Sequence, residues 1–371
     1  MPKRIRRMKC QVEALEDRQL PAVTLTLLNN GTTLSIQGDA QGNWVNIDQN
    51  DAMDQLVVSC QQVADMPTAV QLPVSLFQSS TIKKIVVNLG AGDDVLNYQL
   101  DGQSMQWEKT LNVDMGAGND SAYLEFRGLM IMPLFTSQSL PIFQGTDPVV
   151  LPQGQPADLL APLTIDVQGG AGDDMIQSSF GNIHQRVTYR AAGGAGNDTL
   201  YTEESGSIDS PSNVLFDQDG GAGNDKLWVD LGNQSLAVGT KVTVNQRGGA
   251  GNDHLLINTK LSLLGSLSLN QSGGTGADTI ETHAQLNWSS TGNVSAVVNG
   301  DAGNDQLLVH IKRDDLPPYV DLFAPLQDMH IKALVNGGLG RNVSWVTPNV
   351  RTILTQLKAR SWEMGQALPM D

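Results

Sequence analysis

Cysteine, histidine, aromatic residues and long apolar runs are all scarce in this chain, and each scarcity removes a class of protein. Two cysteines, Cys10 and Cys60, in 371 residues cannot make a disulfide framework; one bridge or two unrelated thiols are the readings left. No apolar run approaches the 18 or more residues that span a bilayer, so no transmembrane segment is expected. Five histidines, His184, His254, His283, His310 and His330, lie scattered, without the paired spacing of a zinc site. There is no Gly-x-Ser-x-Gly and no P-loop string. Lys and Arg number 23 against 39 Asp and Glu, a net charge of −16; cations and basic surfaces suit such a chain and nucleic acid does not.

What is abundant is glycine, with 38 residues, and it recurs in one string. Gly220-Gly221-Ala222-Gly223-Asn224-Asp225-Lys226-Leu227 has close copies at Leu89 to Leu96, Gly169 to Ile176, Gly193 to Leu200 and Gly248 to Leu255. Weaker copies run from Met115 to Ala122, Gly273 to Ile280 and Gly300 to Leu307, and Gly337 to Asn342 is a copy without its acid. The last Gly of each serves as a ruler, at 92, 118, 172, 196, 223, 251, 276 and 303. The steps are 26, 54, 24, 27, 28, 25 and 27, and the 54 reads as two periods of 27. A repeat of about 26 residues points to a solenoid, one elongated body rather than the two or three globular domains that the length alone suggests.

The flanks keep register with the ruler. Seven residues before it stand Ile85, Leu111, Ile165, Tyr189, Phe216, Val244, Leu269, Ala296 and Ala333. Nine before it, in the later copies, stand Val187, Val214, Val242, Leu267, Val294 and Ile331. Four after it come Leu96, Ala122, Ile176, Leu200, Leu227, Leu255, Ile280 and Leu307. Steps of two are strand periodicity with these side chains inward. Each repeat therefore reads as strand, Gly-rich turn, strand and a variable excursion. Stacked about 4.8 Å apart with parallel pairing, such units bury what one alone cannot. The predicted fold is all-β: a parallel β-solenoid, β-roll or β-helix, with one Gly-rich Asp turn per coil of about 26 residues.

Four regions are expected. Residues 1–22 are a basic amino-terminal segment, too charged after Lys9 for an ordinary signal peptide. Residues 23–80 read as short strands and turns that cap the stack, with Gly38 to Asn43 a decayed first copy. Residues 81–345 form the solenoid; its proline-rich stretch 128–162 is either a worn repeat centred on Gly145 or a looped-out insertion. Residues 346–371 are a carboxy-terminal cap, with Arg351 to Trp362 as its helix.

A tight turn explains the glycines, but not an acid at one place in eight copies: Asp94, Asp120, Asp174, Asp198, Asp225, Asp253, Asp278 and Asp305. Stacked about 5 Å apart on a solvent-facing edge, neighbouring carboxylates would repel by ~3 kcal/mol at an effective dielectric of 20. A cation between successive turns removes that cost. Carboxylates and turn carbonyls, without thiolate or imidazole, suit Ca²⁺ better than zinc or copper, and better than Mg²⁺ with its stricter octahedron.

The string Gly-Gly-Ala-Gly-Asn-Asp-x-Leu resembles the hemolysin-type, repeats-in-toxin calcium-binding nonapeptide. The resemblance implies a β-roll with several Ca²⁺ ions between turns, the metal ligands falling on the eight aspartates. It departs in spacing. The family repeats its motif every nine residues, whereas here one motif comes per coil, which predicts a single ion-bearing edge and a wider, three-sided coil. Asp301 in place of the second Gly, Ala277 in place of Asn, and the acid-free last copy weaken the match at the carboxy-terminal end. Separately, Val12 to Ala22 resembles the amino-terminal Leu-Glu-x-Arg segment of large bacterial surface proteins, which implies export. The reading is an extracellular or cell-surface protein that binds calcium for a structural or adhesive purpose, without catalysis. Its partners are calcium ions and a surface glycan or protein. The alternative is a polysaccharide lyase or related glycan-acting enzyme on a parallel β-helix, needing acid, base and Arg or Lys together on a lateral face. Its candidates Arg186, Arg190, Lys241, Arg247, Lys312 and Arg313 form no single column relative to the ruler.

Overall fold

Alternating inward and outward side chains on both sides of each Gly-rich corner build two long sheets joined edge-on at the corners. A computed structural model describes residues 23–62, 74–100, 104–126, 157–209, 212–314 and 330–346. Among these residues every regular element is a strand, and no helix is long and apolar enough to cross a membrane. The basic amino terminus, the predicted capping helix and most of the proline-rich stretch lie outside the described residues.

The eleven-stranded sheet carries the strands that approach the corners. Its order is Thr24–Leu28, Thr33–Gln37, Lys84–Asn88, Lys109–Ala117, Leu163–Ala171, Val187–Ala195, Asn213–Ala222, Lys241–Ala250, Ser266–Thr275, Asn293–Ala302 and His330–Asn336. The twelve-stranded sheet carries the strands that leave them, from Asn43–Asn50 and Val95–Leu100 through Lys226–Leu236 to Val343–Val346. Pairing between coils is parallel throughout, as in Val214 opposite Val242 and Leu227 opposite Leu255. The fold is the parallel β-solenoid that the repeat predicts. A short third sheet of Ser104–Met105, Asp158–Leu159 and Asn182–Ile183 adds a third side, extended by single bridges from Ile183 to Ile208 and Leu236.

One step of the ruler is corrected. Lys109–Ala117 pairs directly with Leu163–Ala171, Gly116 opposite Gly170, so the 54-residue interval is one step of the stack and not two. No coil lies between them to hold a worn repeat at Gly145. At the amino-terminal end the decayed copy does occupy a corner. Trp44 pairs with Val95, which puts Gln41 at the ruler position and Asn43 in the aspartate column. Antiparallel strands then close both sheets: Thr24–Leu28 on one, and Gln55–Gln62 with Val74–Phe77 on the other.

The interior is a stack of thin layers. The columns four after and seven before the ruler are buried in every coil, from Ile85 and Leu96 to Ala333 and Leu307. The few aromatics concentrate there, with ring centres of Tyr98, Phe126, Phe180 and Phe216 separated successively by 5.1, 5.6 and 5.3 Å. Five residues before the ruler, three successive coils exchange an aliphatic side chain for glutamine. Gln271 donates to Gln246 and Gln246 to Gln218, each at 2.9 Å. Buried amides are affordable in such a ladder because each has its neighbour one coil away as partner.

Candidate functional site

Each corner is made by backbone that a side chain would obstruct. In the coil of Asp225, Gly221 and Gly223 have φ of 104° and 139°, and a methyl group on Gly223 would run into the carbonyl oxygen of Gly196 in the preceding coil. The chain therefore turns within three residues and resumes strand spacing. This sends the residue just after the ruler outward and the next one, the aspartate, inward.

All eight aspartates fall in one column, in sequence order, one per coil. They do not sit on a solvent-facing edge as expected: their exposure is 0–3%, because the alternation through the turn directs the outer place to the residue before them. Each Oδ1 accepts the backbone N–H of the aspartate one coil earlier. Asp94 N–H donates to Asp120 at 2.7 Å, and the bonds onward to Asp174, Asp198, Asp225 and Asp253 are each 2.8 Å. Those to Asp278 and Asp305 are 2.9 and 3.1 Å. The row begins at Asn43, whose N–H donates to Asp94 at 2.6 Å, and ends at Asn342, whose Oδ1 accepts from Asp305 at 2.8 Å.

An outer, exposed row runs beside it in the opposite sense. Here the side-chain oxygen of each coil accepts from the next coil: Asp93 from Asn119, Asn119 from Asp173, Asp173 from Asn197, Asn197 from Asn224, Asn224 from Asn252 and Asn252 from Ala277, at 2.7–2.9 Å. Every corner is thus tied to both neighbours by side-chain oxygens. The sequence carries the signal for this row, Asn or Asp one place after the ruler in seven of the eight acid-bearing copies, but turn chemistry alone accounts for such residues.

The second oxygen of each acid is the anomaly. Oδ2 of all eight aspartates is buried without a hydrogen-bond partner. In six of the eight it lies against the first glycine of the motif, while Leu89 and Met115 hold that place beside Asp94 and Asp120. A Cβ on Gly169 would meet Asp174 Oδ2 at 2.5 Å and the carbonyl oxygen of Gly193, in the next coil, at 2.6 Å. Oxygens thus converge where a side chain would otherwise stand. Burial, with neighbouring acids adding to it, lifts these carboxyls from 3.8 to about 7 for Asp94 and Asp174, and to about 6 for Asp198, Asp225, Asp253 and Asp305. Asp120 reaches about 6, and Asp278 is raised, both again through burial. At the ends, an amide fills the same place with its nitrogen satisfied. Asn342 Nδ2 donates to the Gly337 carbonyl, and Asn43 Nδ2 donates to the Gln41 carbonyl at 2.5 Å.

The donor set is oxygen alone, carboxylate and backbone carbonyl, which fits a hard cation. The column strings its acids out rather than gathering them: among the described residues no three His, Cys, Asp or Glu converge on one point. An ion here would draw on one carboxylate or two and on corner carbonyls. At the carboxy-terminal end, Asp301 keeps the glycine's conformation with φ of 66° and accepts from the Ser272 hydroxyl, so the corner survives its substitution.

The histidines are less scattered than they look. His283 and His310 both stand seven after the ruler and pair across adjacent strands, their ring centres 6.2 Å apart. His254 points outward, as expected, with Nε2 3.4 Å from Glu281 Oε1, while His283 Nε2 is 3.0 Å from Glu281 Oε2. Lys260 and Lys312 share the column nine after the ruler, with Gln285 between them. Among the other basic candidates, Arg190 and Arg247 lie on the opposite sheet beside Asp217 at 3.7 and 2.9 Å, Arg247 also holding Asp219. Comparison of the chain with protein families, with curated proteins and with solved structures gives no match.

Proposed function

We propose that the chain binds calcium ions along its corner column and is stiffened by them, serving as an exported structural or adhesive solenoid. The observation that carries this reading is the orphaned Oδ2 of every corner acid. Tying one coil to the next needs only a side-chain oxygen, and Asn342 does it with an amide. The eight interior coils keep an acid instead, and a buried charge without a partner is costly. Such a row is tolerable when each step also holds a proton or a cation. At neutral pH and in the presence of a divalent ion, the cation is the better counter-charge. Oxygen donors with flexible geometry favour Ca²⁺.

Sites built from backbone oxygens and one or two carboxylates belong with extracellular modules, whose dissociation constants run to about 10⁻⁴–10⁻³ M. Calcium at cytosolic levels would leave them empty, and calcium outside the cell would fill them. The test is calorimetric titration with calcium at pH 7.5, together with melting curves in calcium and in excess chelator. Several weak, cooperative sites and a higher melting temperature in calcium are expected. No heat of binding and an unchanged melting curve would sink the reading. One tight, submicromolar site would favour the glycan-acting alternative, in which a single ion serves a single centre.

A further inference from the structure

Toward the carboxy-terminal end of the stack, one outward column of the twelve-stranded sheet loses its acids and a neighbouring column gains two lysines. Seven residues after the ruler, the earlier coils carry Gln99, Glu125, Ser179, a buried Glu203 and Asp230, and the later ones carry Asn258, His283 and His310 in register. Lys260, Gln285 and Lys312 run beside them. These six side chains line a groove of about 420 Å³ across the strands His254–Leu263, Thr279–Leu286 and Gln306–Arg313. The nearby acids are engaged: Glu281 lies between His254 and His283, and Asp314 accepts from the Gln285 amide at 2.8 Å. The two lysines are exposed.

We infer that this groove binds a carboxylated sugar chain lying across the coils. On a chain of net charge −16, an anion is repelled from most of the surface and is held only where cations gather. Lys260 and Lys312 are two coils apart, about 10 Å at the pitch of parallel strands. Between and beside them stand amides and imidazoles, groups that hydrogen-bond to hydroxyls as well as to carboxylates. Two fixed charges at that spacing with neutral donors between them match a ligand rich in hydroxyls and sparse in charge. A nucleic acid strand carries a charge about every 3.4 Å, and most of those charges would face no cation here. The site uses none of the corner acids, so it stands or falls apart from the calcium reading.

The test uses the full chain and a hyaluronan tetrasaccharide, which carries a carboxylate on every second sugar, with maltotetraose as neutral probe, both titrated calorimetrically in calcium and separately in chelator, and tripolyphosphate, itself a calcium binder, as dense anion in chelator alone. One hyaluronan tetrasaccharide should bind per chain, maltotetraose should not bind, and tripolyphosphate should bind at least about tenfold more weakly. Combining Lys260→Gln with Lys312→Gln should weaken the hyaluronan tetrasaccharide by at least about tenfold, the scale expected for losing two charge-assisted contacts, with the melting curve unchanged. Lys241→Gln, exposed on the other sheet, should change it less than about twofold. Binding that appears only with calcium and persists in the double variant would put the sugar at the corners and overturn the groove. So would equal binding of tripolyphosphate, or no binding at all. Whether chelator alters the melting curve is read on sugar-free protein and bears on the corners alone.

Discussion

The middle and the ends of the corner row solve one geometric problem with different chemistry. At Asn43 and Asn342 an amide occupies the inward place of the turn and its nitrogen finds a carbonyl. From Asp94 to Asp305 an acid occupies that place, accepts a backbone N–H through Oδ1 as Asn342 does, and leaves Oδ2 buried and unpartnered. Asn342 shows what the fold alone requires, a side-chain acceptor for the neighbouring N–H, while Asn43 starts the row as a donor and leaves its own Oδ1 buried and unpartnered. The middle holds that and eight ionisable groups besides. The difference is the part of the design that packing does not explain.

Removing calcium should break this comparison most visibly. If ions neutralise the middle, chelation at pH 7.5 destabilises the interior coils and spares the amide-capped ends. At a free concentration ten times the dissociation constant each ion contributes ~1.4 kcal/mol, so a row of several should move the melting temperature by about 10 °C or more. Hydrogen exchange resolved along the chain checks the location. Protection lost equally at Asn43 and at Asp225 would mean that the row does not act as described.

Protons should do part of the work of the cation. The corner carboxyls are raised from 3.8 to about 6 or 7 by burial, so the folded state binds protons more tightly than the unfolded chain. Their contribution to stability is complete below pH 3.8 and is lost as pH rises through 6 to 7. Calcium-free protein is therefore expected to melt at a higher temperature at pH 5 than at pH 7.5, and calcium should flatten that dependence. A calcium-free melting temperature that climbs between pH 5 and 7.5 would contradict the burial of ionisable acids in this row.

Much of this arrangement was legible before any coordinates. The ruler, the two apolar columns and the acid column are periodic, and a parallel stack keeps periodic positions in register, as Phe216 between Tyr189 and Val244 illustrates. What was misread was the direction of the acid. Asp225 stands two residues before the inward Leu227, so strand alternation already places it inside and Asn224 outside; the solvent-facing edge was expected from the charge and not from the spacing. The 54-residue step misled for a different reason: a loop of any length can leave a stack and return without changing its register. His283 and His310 looked unrelated because their kinship lies in distance from the ruler, seven in each case, and not in any local motif.

Single substitutions sharpen the contrast. Asp225→Ala removes both the acceptor for Asp198 N–H and a charge between well-formed neighbours, and should cost about 1–3 kcal/mol while weakening more than one ion. Asp305→Ala, beside the amide end, should cost the same bond and fewer ions. Asp225→Asn should separate the two effects. It keeps an Oδ1 acceptor and offers a nitrogen to a carbonyl as Asn342 does, so the calcium-free protein should be as stable as the parent or more so at pH 7.5, with a smaller response to calcium. Equal losses of stoichiometry at positions 225 and 305 would mean that each acid acts alone.

The smallest effect is expected from the outer row, and its smallness is informative. Asn224 is exposed and accepts from Asn252 N–H at 2.8 Å. Water can replace that acceptor at a solvent-facing corner, so Asn224→Ala should cost under about 1 kcal/mol. Its oxygen points away from the buried acids, so calcium stoichiometry and affinity should stay as they are. The inner and outer rows carry similar residues, hydrogen-bond the same corners and run through the same coils. They differ in burial and in charge. If Asn224→Ala reduced calcium binding as much as Asp225→Ala does, the ions would belong to the solvent-facing side of the turn, and the buried oxygens would need a proton as their only counter-charge.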